Sequence, residues 1–224
     1  LAVLFAAFVA ADVIMGSGLW VSIGFTVANI AGGLAGWLIL RHQSERDLHM
    51  QGQYSGLLVF YGSGIAALVS AVIGAPISTY MFDTSLSKTF LLWFSGEWLN
   101  AMVLLPTMLA LPTWKKIDWT QLRTQWPLLT LPAIAVALLE AASYTVGDKV
   151  GSLVFSLPAL LWCALTYRIL TTALITMVVF ATKIIISNGY MDFTPAHYVD
   201  AVTLRLGITM LILGPLSVAG AQAA

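Results

Sequence analysis

An all-α bundle of about eight transmembrane helices is the fold this sequence predicts, and three observations predict it. Hydrophobic residues make up 59% of the 224 and charged residues only 9%, against about 25% charged in a typical soluble domain. Mean hydropathy is correspondingly high, at +0.91. The apolar residues come in long unbroken runs, whereas barrel strands would alternate over about 10 residues. Backbone polar groups find no water in lipid, so runs of this length must close their hydrogen bonds within helices.

A spanning helix needs about 20 apolar residues at 1.5 Å rise each. Leu1–Met15 is expected to be the last part of a helix whose start precedes it. It is no signal peptide, because it lacks a basic start and runs on into further apolar sequence. Leu19–Leu40, Tyr54–Phe82 and Lys88–Leu111 follow as full spans. Trp126–Ser143, Ile169–Ser187 and His197–Gly220 complete the long ones. Gly151–Thr166 is short, so it is expected either to cross with little tilt or to be broken at Pro158. Pro106, Pro132 and Pro215 are expected to bend their helices statically. No soluble domain, long linker or low-complexity tract interrupts the pattern. Residues 1–224 therefore read as one integral membrane domain, expected to lie within a longer polypeptide.

Orientation follows from basic residues in short loops. Arg41, Arg46, Lys115, Lys116, Arg123 and Arg168 fall on one side, and Lys88, Lys149 and Lys183 on the other. The first set is expected in the cytoplasm, which puts the C-terminus there. Trp114, Trp119 and Trp126 would form an interfacial aromatic belt. Net charge is zero, and basic residues stand singly between apolar runs, so a nucleic-acid surface is excluded. Ala28, Gly32 and Gly36, with Gly64, Ala67 and Ala71, are small-residue faces where helices can approach closely. Packing inside one bundle is the expected use of these faces, ahead of dimerisation.

Ionisable residues inside apolar spans carry the most functional information, because each is costly in lipid and faces an interior or a wet cavity. Here they are Asp12, Glu97, Glu140, Lys183, Asp200 and Arg205, all on the outer half of the predicted bundle. Two readings stand side by side. In one, Glu97 pairs with Arg205 and Glu140 with Lys183, as buried ion pairs that lock the helices. In the other, these residues line a pocket for a small polar ligand. Glu97 is the deepest charge and is flanked by Trp93, Trp98 and Asn100. Candidate ligand-binding residues are thus Glu97, Arg205, Trp93, Asn100, Asn29, Glu140 and Lys183.

Catalytic, metal and cofactor sites are not expected. His42, His49 and His197 lie at or beyond helix ends, whereas a haem between helices needs histidines at depth. His42 and His49 share a loop with Glu45 and Asp47, which reads as a solvated charge cluster. No phosphate loop, zinc-protease motif or serine triad appears. Cys163, the single cysteine, lies in an apolar run and has no partner for an internal disulfide.

The stretch SLSKTFLLWFSGEWLNAMVLLPTMLALP, carrying Trp93, Glu97 and Pro106, resembles a helix of the bacterial membrane-associated sensor domains of the first-described (MASE) type. GSGIAALVSAVIGAPIS, with Ser70 and Gly74, is similar to the family's small-residue helix. TVANIAGGLAGWLILR, with Asn29, Gly36 and Arg41, and LVFSLPALLWCALTYR, with Pro158, Trp162 and Arg168, resemble two more. The arginine after Trp162 sits two residues later than in the family pattern, and its usual neighbouring glycine is missing. The resemblance implies an input module that regulates a cytoplasmic output domain, foremost a GGDEF diguanylate cyclase, otherwise an EAL phosphodiesterase or a histidine kinase. Its implied partners are the bilayer, an unknown small ligand or membrane protein, and a second copy joined through the output domain. Two alternatives remain open: a secondary transporter using intramembrane carboxylates, and an accessory subunit that recruits another membrane protein.

Overall fold

The computed structural model describes residues 2–111, 119–145, 154–190 and 198–224, with backbone alone for 119–129 and 187–190. All regular structure among the described residues is helical: α1 (Ala2–Ile14), α2 (Leu19–Leu40), α3 (Glu45–Leu48), α4 (Ser55–Phe82), α5 (Leu86–Ala110), α6 (Trp119–Thr145), α7 (Leu157–Thr166), α8 (Ile169–Tyr190) and α9 (Tyr198–Ala223). α1, α2, α4, α5 and α9 pack in a row, each against the next. α7 and α8 lie against α9, α8 also touches α5, and α6 packs on α7. The apolar core gathers where these meet, around Met102, Leu160, Phe180, Ile208, Ile212 and Leu216, all under 2% exposed. Large apolar side chains such as Trp20, Leu34, Leu38, Val72 and Leu104 point outward instead. A surface so apolar suits lipid and not water.

Four helices among the described residues are long and apolar enough to cross a membrane: α2, α4, the Ile169–Ile186 part of α8, and α9. The expected count of about eight spans is not supported. α7 has 10 residues, and rises only about 15 Å against a hydrocarbon core of about 30 Å. Pro158 explains the shortfall, because it stands in the first turn of α7 and starts the helix where a break was expected. α1 and the Thr130–Thr145 part of α6 are likewise shorter apolar helices. α5 has the length, at 25 residues, but Lys88, Glu97, Asn100 and its hydroxyl side chains lower its hydropathy. Residues Lys115, Lys116, Trp114, Lys149 and His197 lie outside the described residues, as do the side chains of Trp119, Arg123 and Trp126.

The small-residue faces build the α2–α4 seam. Ala28 is fully buried. A Cβ added at Gly32 would meet the Ala66 carbonyl oxygen at 2.7 Å and Ser70 Cβ at 2.9 Å, and one at Gly36 would meet Ala66 Cβ at 3.2 Å. This face is spent within the chain. Gly64 similarly accepts the Trp98 indole from α5, with 3.2 Å from a Cβ to the ring.

The two ends of the bundle are chemically distinct. At one, Lys88 of α5 sits 5.1 Å from the Tyr198 ring of α9. At the other, Arg46 of α3 donates to the Ala224 carbonyl at 2.6 Å. The Gln222 carboxamide, with its nitrogen turned toward α7, donates there to Ala164 O at 3.0 Å. Gly220 lies against the Gly52 carbonyl, 3.2 Å from a Cβ. Arg41, Arg46 and Arg168 thus share the end where α9 finishes.

Candidate functional site

One face of α5 supplies most of a cavity. Leu92, Trp93, Gly96, Glu97 and Asn100 recur at helical spacing, and with Phe25 and Asn29 of α2 and Asp12 of α1 they enclose about 290 Å³. The volume is near the lower end of the range for small-molecule sites.

Trp93 is held from three sides. Its indole lies over Gly74 of α4, where a Cβ would come within 2.5 Å of the ring, so only glycine admits it. Its Nε1 donates to Ser70 Oγ at 3.0 Å. Ser70 Oγ in turn donates to Asn29 Oδ1 at 3.4 Å. Phe25 meets the indole edge-on, with centroids 4.8 Å apart. A single relay of contacts through α4 therefore fixes an aromatic wall on α5 and an amide on α2.

The acidic groups are not held in this way. Asp12 and Glu97 are partly exposed within the cavity, and neither carboxylate takes a hydrogen bond or ion pair from another described residue. The Asn100 carboxamide is exposed beside Glu97 and is likewise without a protein partner among the described residues.

Arg205 does not line this cavity. Its Nη1 donates to the Leu92 carbonyl at 2.8 Å, and it stands 3.2 Å from where a Cβ of Gly96 would be. Gly96 lets the guanidinium reach the backbone, where the carbonyl oxygen has a second lone pair to offer. Glu97 is one residue on, about 100° around the helix. The expected Glu97–Arg205 ion pair is consequently not formed among the described residues, and Arg205 instead ties α9 to the turn of α5 that forms the cavity wall.

The other expected pair is present. Lys183 Nζ lies 3.0 Å from Glu140 Oε1, with side chains 4% and 12% exposed. Tyr144 donates to the same carboxylate oxygen at 2.9 Å, and Lys183 reaches Ser143 Oγ at 3.4 Å. This cluster joins α6 to α8, away from the cavity. Of the candidates read from the sequence, Glu97, Trp93, Asn100 and Asn29 come together, Arg205 stands behind them, and Glu140 with Lys183 form a separate structural bridge.

Asp12 belonged to the pocket reading of the sequence but not to the candidates drawn from it, Phe25 to neither, and Ser70 and Gly74 were seen only through a family likeness. Asp12 carried a signal, as an acid in an apolar helix. Phe25 carried a weaker one, four residues before Asn29. In the α2–α4 loop, Asp47 accepts from Ser44 at 2.6 Å and Ser55 at 3.4 Å. Asp47 there ties the hydroxyls on either side of α3 together. Among the described residues, no three His, Cys, Asp or Glu side chains gather closely enough to hold a metal ion.

Comparison with known proteins links the chain to nucleotide second-messenger signalling. It is 31% identical over 174 residues, 76% of its length, to the "Probable diguanylate cyclase DgcF" of Escherichia coli O157:H7, covering 36% of that protein. It is 32% identical over 136 residues, 59% of its length, to the protein of the same name in Escherichia coli (strain K12), covering 41% of it. The chain thus spans about two-fifths or less of the curated relatives it matches. No family model matches the chain, and no solved structure matches it.

Proposed function

We propose that this chain is the membrane-embedded input module of a signalling protein whose cytoplasmic output is a GGDEF diguanylate cyclase, and that the cavity between α1, α2 and α5 receives the input. The similarity to DgcF over 76% of the chain carries the output assignment, and the resemblance to MASE-type sensor domains supports it. It also favours a sensor over a transporter or an accessory subunit. Arg41, Arg46 and Arg168 gather at the end where α9 finishes, and the positive-inside tendency supports reading that end as cytoplasmic, in a bacterial inner membrane. Dimerisation through the output domain belongs to the same reading.

Three contacts suggest how a signal would travel. A ligand in the cavity bears on Trp93, Glu97 and Asn100, all on α5. The Leu92 carbonyl of that wall is fastened to Arg205 of α9. The far end of α9 is gripped by Arg46 and by the Gly52 backbone. A ligand shifts the equilibrium between two α5–α9 arrangements only by the difference in its affinity for them. Couplings of this kind change a response about five- to 150-fold.

Arg205→Leu removes the donor to Leu92 while keeping an apolar stem. In the full-length protein in nanodiscs, we expect cyclic-diguanylate synthesis to change about fivefold or more, with the melting temperature retained. Unchanged synthesis in a folded variant would remove the α5–α9 link from the mechanism. A full-length protein with no cyclase activity at all would remove the output assignment.

A further inference from the structure

Resting on the sensor reading above, we propose that the cavity takes a small organic cation, a protonated amine or a quaternary ammonium. Among the described residues two carboxylates line it, Asp12 and Glu97, and no basic side chain does. Neither carboxylate is satisfied by a described protein group, so each has lone pairs available to a ligand. Arg205 of α9 stands behind this wall, with its guanidinium donating to the Leu92 carbonyl, and is not among the lining residues.

The remaining walls fit the same ligand. Trp93 and Phe25 present aromatic surface, and a cation is attracted to an indole face within about 6 Å. Asn29 and Asn100 contribute amide oxygens that accept N–H donors. An anion would face both carboxylates. A neutral guest would strip water from them without replacing its hydrogen bonds. A divalent metal ion would find only two carboxylates, with no third acidic, histidine or cysteine ligand among the described residues.

The test is calorimetric titration of the full-length protein in dodecyl maltoside, whose headgroups carry no competing ammonium. Tetramethylammonium and n-butylammonium are compared with n-butanol, butyrate and calcium. We expect both ammonium ions to bind saturably, about tenfold or more tighter than butanol. Glu97→Gln and Asp12→Asn should each weaken them about tenfold, through loss of one anionic neighbour and, for n-butylammonium, of one charged hydrogen-bond acceptor. Gly74→Ala, which must push the Trp93 ring aside, should weaken tetramethylammonium most. If Glu97→Gln does not fold, Trp93→Phe at the same wall replaces it. Butanol, butyrate or calcium binding as tightly as the ammonium ions overturns the proposal. So does ammonium binding that survives the carboxylate substitutions.

A soluble amine and an aminophospholipid headgroup share this chemistry. Phosphatidylethanolamine added to the micelles blocks n-butylammonium if the lipid is the source, and leaves it unchanged if the source is soluble. Cyclase activity measured on the same samples separates the two claims. Altered synthesis in Glu97→Gln, when the wild type itself binds no ammonium ion, overturns the ligand class and leaves the sensor reading standing. Ammonium binding with no effect on synthesis upholds the cation site and removes the sensor reading.

Discussion

Lys183→Met is expected to destabilise the bundle by about 3–5 kcal/mol, because it strands a buried carboxylate. Lys183 and Glu140 are 4% and 12% exposed and lie 3.0 Å apart. Without the ammonium, Glu140 keeps the Tyr144 hydroxyl as its side-chain donor, which is too little for an ionised group away from water. The pair bridges α6 and α8, so the loss should appear as a lower melting temperature for the whole chain. Replacing both partners, Glu140→Leu with Lys183→Met, should recover most of it, since apolar groups of similar volume commonly substitute for a buried pair at little cost. Thermal unfolding in micelles across the double-mutant cycle reads this directly. A single variant that melts like the wild type would show that the pair does not hold α6 in place.

Gly32→Leu should be nearly as severe, by a different cause. Its Cβ alone would stand 2.7 Å from the Ala66 carbonyl oxygen, and a backbone atom cannot rotate away as a side chain can. α2 must therefore lift off α4, and overpacking of this kind costs about 1–3 kcal/mol. Ser70 lies at the same seam, 2.9 Å from that Cβ, and links Trp93 to Asn29. Loss of stability should accordingly come with a disturbed cavity wall. Gly33 is the control: a Cβ there meets nothing within 4 Å, and alanine gains helix propensity over glycine. Gly33→Ala should melt at or slightly above the wild-type temperature, measured by the same unfolding assay. If Gly32→Leu behaves like Gly33→Ala, the seam is not close-packed.

The long helices were legible because lipid allows few ways to satisfy a backbone. Leu19–Leu40 is α2 to the residue, and Tyr54–Phe82 differs from α4 by one position. Gly151–Thr166 failed because an apolar run does not reveal where a helix begins, and Pro158 serves a first turn as readily as a break. α3 was missed although Ser44 caps it, accepting from the Asp47 amide at 3.2 Å; four residues leave no periodicity to read. At the cavity, Glu97, Asn100 and Trp93 were found because polar groups on an apolar helix stand out. Arg205 was found as a residue and mispaired as a partner. Among the described residues it meets a backbone carbonyl, that of Leu92, reached beside Gly96, and a main-chain acceptor has no signature in side-chain spacing. Asp12 was seen as a charge, but only the packing of α1 on α2 brings it to the same cavity as Glu97.

The central claim is that the polar wall of α5 governs an output reaction. Its most direct test is cyclic-diguanylate synthesis by the full-length protein in nanodiscs, wild type against Glu97→Gln, with melting temperatures recorded on the same samples. The account predicts a change of about fivefold or more at unchanged stability. Equal rates from equally stable proteins would contradict it and leave Glu97 as a group exposed to a cavity that has no part in signalling.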